Sequence, residues 1–354
     1  MKRINKLKTV LEKGEIDGYL TMNVKNIYYF TEYMDISNAH LNLIIPVDNS
    51  PILLTPPLSY VAASEDAKEC HIKNIGAQGK FFENIVKEIR ELKMKKIVFD
   101  ALTMSLYLKL VKEMKNTHFN YDPSIVAKLR RKKDNKELGY IRKAAALTDK
   151  GVEAGLEAVK PGIHEYEIAA EIEYAMRIRG SKGTAFETVV ASGPRSAYPH
   201  GVCSDRIIRK GDLVILDLGA IYSGYCCDIT RTKIVGNPSS KQLRMFNAVK
   251  KAHEEAFKTL RAGIKTRDVD AVARTVLAKE KLDKFFIHGL GHGIGLEIHE
   301  APTLSSRSNE TLEVRNVVSN EPGIYIQGFG GVRIEDTVLI HKNCGENLTK
   351  ATYH

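Results

Sequence analysis

Residues Leu213 to Thr232, LVILDLGAIYSGYCCDITRT, predict a β-hairpin in which each strand carries one aspartate. The apolar run 213–216 is typical of a buried strand, and Tyr222-Ser223-Gly224 is typical of a turn. A turn centred on Tyr222 and Ser223 would place Asp217 directly opposite Asp228. Like charges that face each other in an apolar sheet destabilise it unless a positive charge lies between them.

Residues Val317 to Asp336, VVSNEPGIYIQGFGGVRIED, repeat this arrangement with two glutamates. A hairpin centred near Gly328 would bring Glu321 opposite Glu335. A single facing acid pair is as consistent with a solvated face as with function. Two such pairs, on two separate hairpins, favour a functional site.

Residues His288 to Glu300, HGLGHGIGLEIHE, lie between the two hairpins and contain three histidines and four glycines. The glycine spacing does not fit the GxGxxG of a dinucleotide loop, so these glycines more plausibly let the backbone approach a site closely. Four carboxylates and one imidazole make an oxygen-rich ligand set, which suits manganese, cobalt or iron. Structural zinc sites are instead rich in thiolates. Four negative charges balance two divalent ions, which is the stoichiometry of a two-metal hydrolase.

The last two thirds of the chain contain a weak internal repeat, in which Gly162-Ile163 falls on Gly263-Ile264. Two helices and a strand are predicted twice, about one hundred residues apart: Leu138–Leu156, Glu165–Arg179 and Glu187–Ala191, then Gln242–Leu260, Arg267–Lys279 and Phe285–His288. A duplicated helix–helix–strand unit is our interpretation, and a chance match of two helical hairpins is the alternative. Duplicated domains often place the active site between their halves.

The first third of the chain predicts a compact α/β domain that ends near Leu129 and carries no catalytic constellation. Its predicted strands are Ile16–Thr21, Asn42–Val47, Pro51–Thr55 and Lys96–Asp100, and its predicted helices are Phe81–Leu92 and Thr103–Glu113. With 354 residues, the chain has the length expected of about two domains.

The formal charge of +10, from 53 basic and 43 acidic residues, is spread along the chain and does not favour nucleic acid as a partner. The densest basic run, Arg130–Lys133, is followed at once by Asp134, and we interpret it as a solvated linker. The five cysteines are odd in number and lack CxxC spacing, which indicates a reduced, cytoplasmic protein. We expect neither a signal peptide nor a membrane-spanning segment.

These motifs resemble those of the pita-bread metallopeptidases, specifically the Xaa-Pro branch that contains prolidase and aminopeptidase P. The resemblance covers essentially the whole chain, and residues 288–300 fit that branch's signature at each constrained position. It implies an α+β fold, with a smaller α/β creatinase-type N-terminal domain (1–130) and a pita-bread catalytic domain (131–354). It also implies an exopeptidase that cleaves an N-terminal residue from proline.

The resemblance further implies two divalent metal ions, with manganese first and cobalt, iron or zinc as other candidates. The implied metal ligands are Asp217, Asp228, His292, Glu321 and Glu335. Among them, Asp228 and Glu335 would bridge the two metals, and Glu321 would also shuttle a proton.

The remaining implied residues act on the substrate, an Xaa-Pro dipeptide or short peptide. His200 and His299 would bind it and take part in catalysis. His288 and Arg333 would lie near its prolyl end, although Arg333 could instead neutralise the neighbouring carboxylates. Arg195 stands where the family commonly has asparagine, and could alter how the ends of the substrate are recognised.

Several alternatives remain at this point. A strict dipeptidase, favoured by the compact chain, competes with an aminopeptidase P that trims longer peptides. A methionine aminopeptidase usually lacks the N-terminal domain and a histidine at the position of His288. A creatinase-type enzyme needs no metal, so the complete set of candidate metal ligands argues against it. A non-catalytic binding protein on this fold would be expected to have lost some of these ligands, and none is missing. We also expect a homodimer.

Overall fold

The computed structural model describes residues 2–35, 41–76 and 80–353, and these divide into two compact units at Arg130 and Arg131. The elements of the first unit are α1 (Lys2–Lys13), β1 (Gly18–Thr21), α2 (Val24–Thr31), β2 (Asn42–Pro46), β3 (Ile52–Thr55), α3 (Pro57–Asp66), β4 (His71–Asn74), α4 (Phe81–Glu91), β5 (Lys96–Ala101), α5 (Met104–Glu113), β6 (His118–Tyr121) and α6 (Ser124–Arg131). The four predicted strands and two predicted helices of this part are confirmed, with ends that move by at most two residues.

A mixed six-stranded sheet, in the order β4-β3-β2-β1-β5-β6, forms the centre of the first unit. The central strand β1 pairs antiparallel with β2 and parallel with β5. The two edge strands, β4 and β6, are mostly exposed and carry polar side chains. The sequence therefore has no apolar run at these positions from which the strands could be predicted.

The second unit consists of long helices and the strands that they cover. Its elements are α7 (Asn135–Ala158), α8 (Glu165–Arg177), β7 (Val189–Ser192), a 3₁₀ turn (Gly193–Ala197), β8 (Leu213–Leu218), β9 (Ile221–Tyr222), β10 (Tyr225–Cys226), β11 (Ile229–Ile234), α9 (Ser240–Thr259), α10 (Thr266–Lys279), a second 3₁₀ turn (Asp283–Phe285), β12 (Gly291–Gly293), β13 (Glu300–Leu304), β14 (Val317–Asn320), β15 (Gly323–Ile326), β16 (Gly330–Arg333), β17 (Asp336–Ile340) and β18 (Gly345–Asn347).

The predicted duplication is confirmed by matching backbone hydrogen bonds in the two halves of this unit. The amide of Gly162 donates to the carbonyl of Ile208 at 3.0 Å, and the amide of Gly263 donates to that of Leu312 at 2.8 Å. Both glycines join their two helices with positive φ angles, 95° and 88°, which a residue with a Cβ rarely adopts. The repeated Gly-Ile pair therefore marks the same turn in both copies.

Each helical pair packs on its own sheet. Helices α7 and α8 cover the sheet β11-β8-β7, while α9 and α10 pack against the sheet β13-β12-β14-β17-β18. Helix α7 approaches β8 closely at Gly151, where a Cβ would lie 2.7 Å from Leu218. Since Leu218 is next to Asp217, this packing fixes the strand that presents the first predicted acid.

The predicted strand Phe285–His288 is wrong. Phe285 ends the second 3₁₀ turn, and the following residues are irregular until β12 begins at Gly291. The side chain of Arg274 donates to the carbonyls of Phe286 and His288, so these groups are bonded to a guanidinium and not to a neighbouring strand.

The interpretation of Arg130–Lys133 as a solvated linker is also wrong. Only Lys132 is exposed, with 55% of its side chain accessible. Arg130 is buried, Arg131 lies 2.9 Å from Glu310, and Lys133 is 1% exposed. Three of its four cations are buried or half-buried against specific partners, and the exposed Lys132 lies 3.7 Å from Glu313. No helix among the described residues is long and apolar enough to span a bilayer.

Candidate active site

The first acidic hairpin forms, but its register differs from the predicted one. Asp217 pairs with Thr230, not with Asp228. The turn is centred one residue later than expected, on Ser223 and Gly224, and both have positive φ angles (45° and 78°). This combination is what a two-residue type I′ turn requires.

The corrected register still brings the two aspartates to one face of the hairpin. Asp228 lies two residues before Thr230, and residues two apart point to the same side of a strand. Asp228 is fixed by Thr337 of β17, whose hydroxyl donates to the Asp228 carbonyl at 2.7 Å and accepts from its amide at 3.1 Å. The position of this acid therefore depends on the second hairpin.

The register of the second hairpin is confirmed. Asn320 pairs with Asp336 on one side and Gly323 pairs with Arg333 on the other, so Glu321 stands opposite Glu335. The two hairpins meet where the amide of Glu335 donates to the carbonyl of Thr230 at 3.1 Å.

The side chain of Thr230 joins the same contact. Its hydroxyl donates to Oε2 of Glu335 at 2.7 Å and accepts from Nε of Arg333 at 3.0 Å. Sequence reasoning did not single out Thr230, because a bond between two hairpins about one hundred residues apart leaves no local pattern.

His292 of β12 faces the acids through Nε2, which lies 3.3 Å from Oε1 of Glu321 and 3.5 Å from Oδ2 of Asp228. Its Nδ1 lies 3.0 Å from the carbonyl of Gly293, which suits an N–H at Nδ1 and a free lone pair at Nε2. Burial lowers the pKa of His292, and this favours the neutral form that binds metal.

Ser319 connects the histidine strand to the glutamate. Its hydroxyl accepts from the amide of His292 at 2.9 Å and donates to Oε1 of Glu321 at 3.0 Å. A Cβ on Gly291 would overlap the backbone of Ser319, so this glycine allows the two strands to approach. The expected role of the glycines in close backbone approach is confirmed at this position.

The carboxylates share a poorly solvated space. Burial first, and then the charges of the other acids, raise the pKa values of Asp228 and Glu335 well above the ordinary range. Burial also raises the pKa of Glu321 to about 7. Such a cluster disfavours its fully ionised form unless cations are added to it.

The donor set fits divalent cations. Ligand atoms of Asp228, His292 and Glu335 lie within 4.8 Å of one another. Oδ1 of Asp217 and Oε1 of Glu335 are buried and have no hydrogen-bond partner among the described residues. Buried oxygens are rarely left without partners, so these two are available to a metal ion.

Arg333 is buried against the acids. Its Nη2 is paired with Asp217, its Nε binds the Thr230 hydroxyl, and its Nη1 donates to the Tyr325 hydroxyl at 2.7 Å and to the Pro199 carbonyl at 3.2 Å. All of these donors have protein partners. The contacts therefore favour the alternative in which Arg333 neutralises carboxylates.

His288 lies on the far side of Tyr325, with Nε2 at 3.0 Å from the tyrosine oxygen and Nδ1 at 2.8 Å from the carbonyl of Gly289. Burial and the charge of Arg333 lower the pKa of His288 to about 4, so the ring is neutral at pH 7. The hydroxyl of Tyr325, which sequence reasoning missed, links His288 to Arg333.

His200 and His299 lie at the exposed rim of the acid cluster. The His299 ring is centred 4.2 Å from that of His292, and burial lowers the pKa of His299. His200 is exposed in the turn after the first 3₁₀ segment, close enough for its charge to act on His299 and Glu321. The structure thus brings together the five predicted metal ligands and places two predicted histidines beside them.

Comparison with known families matches both units. The family model for metallopeptidase family M24 covers residues 139–342, and that for the creatinase/prolidase N-terminal domain covers residues 3–132. The chain belongs to metallopeptidase family M24. These matches confirm the predicted family and the predicted α+β fold, in which a creatinase-type domain precedes the pita-bread domain in the chain. Membership of family M24 also implies divalent metal ions.

Named relatives of this M24 peptidase include two archaeal enzymes. The Xaa-Pro dipeptidase of Pyrococcus horikoshii is 36% identical over 348 residues, 98% of this chain and 97% of that protein. The Xaa-Pro dipeptidase of Pyrococcus furiosus is 37% identical over the same shares.

Solved M24 structures are similarly close. A Bacillus anthracis Xaa-Pro dipeptidase superposes with a TM-score of 0.94 at 35% identity, covering 100% of this chain and 98% of that one. An X-Pro aminopeptidase from Thermotoga maritima superposes with a TM-score of 0.91 at 32% identity, covering 99% and 98%.

Proposed function

We propose that this M24 peptidase is a two-metal exopeptidase that hydrolyses the bond between an N-terminal residue and proline, with Xaa-Pro dipeptides as preferred substrates. The observation that carries the proposal is the cluster of four buried or half-buried carboxylates and one imidazole, with buried oxygens left available to cations. The near full-length likeness to Xaa-Pro dipeptidases supports the choice of substrate.

The residues proposed to hold the metals are Asp217, Asp228, His292, Glu321 and Glu335. Asp228, His292 and Glu335 would hold metal together, since ligand atoms of these three residues lie within 4.8 Å of one another. When bound, two divalent ions supply an activated water and polarise the scissile carbonyl. We propose manganese as the native metal because the donor set is rich in oxygen.

Glu321 is the proposed proton carrier. Its carboxyl lies in the acid cluster, with Oε1 at 3.3 Å from Nε2 of His292, where it can accept a proton and release it to the prolyl nitrogen. We propose that His299, whose ring is centred 4.2 Å from that of His292, donates a hydrogen bond to the oxyanion that forms at the scissile carbonyl. His200, in the turn after the first 3₁₀ segment, contacts the substrate as well.

His288 and Arg333 have different proposed parts. The neutral ring of His288 provides a partly apolar wall for the prolyl end of the substrate. Arg333 holds Asp217 and Tyr325 in place and offsets the charge of the acids, so that we assign it to support of the site and not to direct substrate binding.

The test is hydrolysis by protein treated with EDTA and then reloaded with manganese, cobalt, iron or zinc in separate samples. We expect rapid cleavage of an Xaa-Pro dipeptide and much slower cleavage of Xaa-Pro-Yaa-Zaa and of Met-Ala. Equal rates of cleavage of the dipeptide and the tetrapeptide would contradict the dipeptidase assignment. A protein inactive on all of them with each metal would contradict the exopeptidase proposal.

Aminopeptidase P activity is the second candidate. The likeness to the Thermotoga X-Pro aminopeptidase, with a TM-score of 0.91, favours it specifically. A methionine aminopeptidase-like function is less favoured, because residues 3–132 match the creatinase/prolidase N-terminal domain. The intact ligand set also argues against a metal-free amidinohydrolase or a non-catalytic binding protein.

The homodimer and the cytoplasmic location stay predictions. None of the five cysteines, all of which lie among the described residues, is in a disulfide, and this suits a reducing compartment. Light scattering coupled to size exclusion measures the mass directly, and a monomeric mass would contradict the homodimer.

A further inference from the structure

The segment Ser192–Ser204, here termed the His200 segment, carries the proposed substrate histidine at the exposed rim of the site. It begins at the end of β7, passes through the 3₁₀ turn Gly193–Ala197 and continues without regular structure. A loop without a ladder of backbone hydrogen bonds needs other contacts to hold a catalytic side chain in one place.

Glu165, at the start of α8, supplies those contacts from a fully buried carboxylate. Its Oε1 accepts from the amide and hydroxyl of Ser192 at 2.8 and 2.6 Å. Its Oε2 accepts from the amide and hydroxyl of Ser204 at 3.0 and 2.7 Å. One side chain thus holds both ends of the His200 segment.

Arg195 completes this arrangement from within the segment. Its Nε lies 3.2 Å from Oε2 of Glu165, and its Nη2 donates to the carbonyl of Val202 at 2.6 Å. The guanidinium therefore balances the buried charge of Glu165 and ties the turn to the residues after His200. The possibility that Arg195 reads the ends of the substrate is not favoured by these contacts.

The other side of the His200 segment rests on the second acidic hairpin. The hydroxyl of Ser196 accepts from the amide of Gly331 at 2.9 Å, and a Cβ on Gly331 would overlap the Ser196 carbonyl. The carbonyl of Pro199, next to His200, accepts from Arg333 at 3.2 Å. The segment is held between Glu165 and the hairpin that carries Glu321 and Glu335.

We propose that Glu165 and Arg195 are positioning residues, which fix His200 relative to the acid cluster without touching the substrate. This inference rests on the proposed function of His200 in Xaa-Pro cleavage. A misplacement of about 1 Å in an active site costs up to about 100-fold in rate, so loosening this clamp lowers catalysis by about 10- to 100-fold.

The test combines Arg195→Ala with His200→Ala in a double-mutant cycle on the metal-loaded enzyme. The Arg195 side chain is 31% exposed, but its removal leaves the buried Glu165 carboxylate without its cation. Circular dichroism therefore first establishes that Arg195→Ala is folded, and Arg195→Lys, which keeps the charge, serves as a second variant that should retain more of the wild-type kcat/KM. We expect Arg195→Ala to lower kcat/KM about 10- to 100-fold in the wild type. We expect it to have no further effect in the His200→Ala background. Arg261→Ala, at an exposed arginine in the connection between α9 and α10, is the control and leaves kcat/KM unchanged.

Hydrogen exchange gives a readout that does not depend on activity. We expect peptides covering Ser192–Ser204 to exchange faster in Arg195→Ala and in Glu165→Gln than in wild type, with no change in Arg261→Ala. Unchanged exchange in this segment would overturn the clamp even if Xaa-Pro hydrolysis is found. If Arg195→Ala lowers kcat/KM by the same factor in the His200→Ala background as in the wild type, Arg195 does not act through His200. A wild type without Xaa-Pro activity, but with the expected exchange pattern, would refute the proposed function and leave the clamp standing.

Discussion

Replacing Glu321 with glutamine should stabilise the metal-free protein while abolishing its activity. Glu321 is largely buried, with 17% of its side chain exposed, among other acids. Burial raises its pKa from 4.5 to about 7. Glutamine keeps the shape and the oxygen that accepts from Ser319, but it has no charge to bury.

The size of the effect follows from proton linkage. A folded-state pKa above the unfolded value means that the folded protein binds this proton more tightly. The associated stability is complete below about pH 4.5 and is lost as the pH rises through about 7. Since each tenfold change in proton affinity is worth about 1.4 kcal/mol, the wild type loses about 3 kcal/mol by pH 8 and only about 1 kcal/mol at pH 5. The variant avoids this loss.

The assay is urea unfolding of EDTA-treated protein at pH 5 and pH 8. The chain has no tryptophan, so far-ultraviolet circular dichroism follows the transition. We expect Glu321→Gln to exceed the wild type in unfolding free energy by about 3 kcal/mol at pH 8 and by about 1 kcal/mol at pH 5. Glu157→Gln, at an exposed position on α7, is the matched control and should change little at either pH.

Addition of manganese should reverse the order of stability, so that the wild type has a larger unfolding free energy than Glu321→Gln. Ligand binding stabilises the native state in proportion to the logarithm of the metal concentration over its Kd, and the variant lacks one ligand. The reasoning is refuted if metal-free Glu321→Gln is no more stable than the wild type at pH 8. It is equally refuted if the difference does not shrink between pH 8 and pH 5.

Three further predictions concern the acids, their supports and the basic run. Asp228→Asn should weaken manganese binding in calorimetry and lower Xaa-Pro hydrolysis, each by more than about 100-fold; full activity would contradict its role as a ligand. Thr230→Val removes the hydroxyl that donates to Glu335, so the metal Kd should rise about 10- to 100-fold, whereas Thr230→Ser keeps it near wild type. Lys133→Met removes a buried cation that is 1% exposed in an ion pair, and should cost about 3–5 kcal/mol in urea unfolding. The exposed Lys132→Met should cost less than about 0.5 kcal/mol, and equal costs would contradict the assigned burial.

Much of the site was predictable because its signals are local. An apolar strand that ends in an acid, a glycine-rich turn and a returning strand are contiguous in the sequence, so Glu321 and Glu335 could be paired by counting from Gly328. The duplicated Gly-Ile turns were predictable for the same reason, since a turn position with positive φ selects glycine.

The errors arose where one residue decides the geometry or where the partner lies far away. A shift of the first turn by one residue moved the partner of Asp217 to Thr230, because either of two neighbouring pairs could form the turn. The burial of Lys133 depends on Glu300, which lies 167 residues away in the chain. Nothing in the basic run itself reports such a partner.

The sequence alone determined the family, the fold and the identity of the five candidate ligands, because side-chain chemistry and short spacings carry that information. Only the tertiary structure decided which groups support those ligands. The Thr230 hydroxyl between two hairpins, Thr337 behind Asp228, and Glu165 beneath the His200 segment are all common polar residues in unremarkable contexts. Their roles come from contacts across large separations in the chain, and such contacts exist only once both hairpins and both helical pairs have packed together.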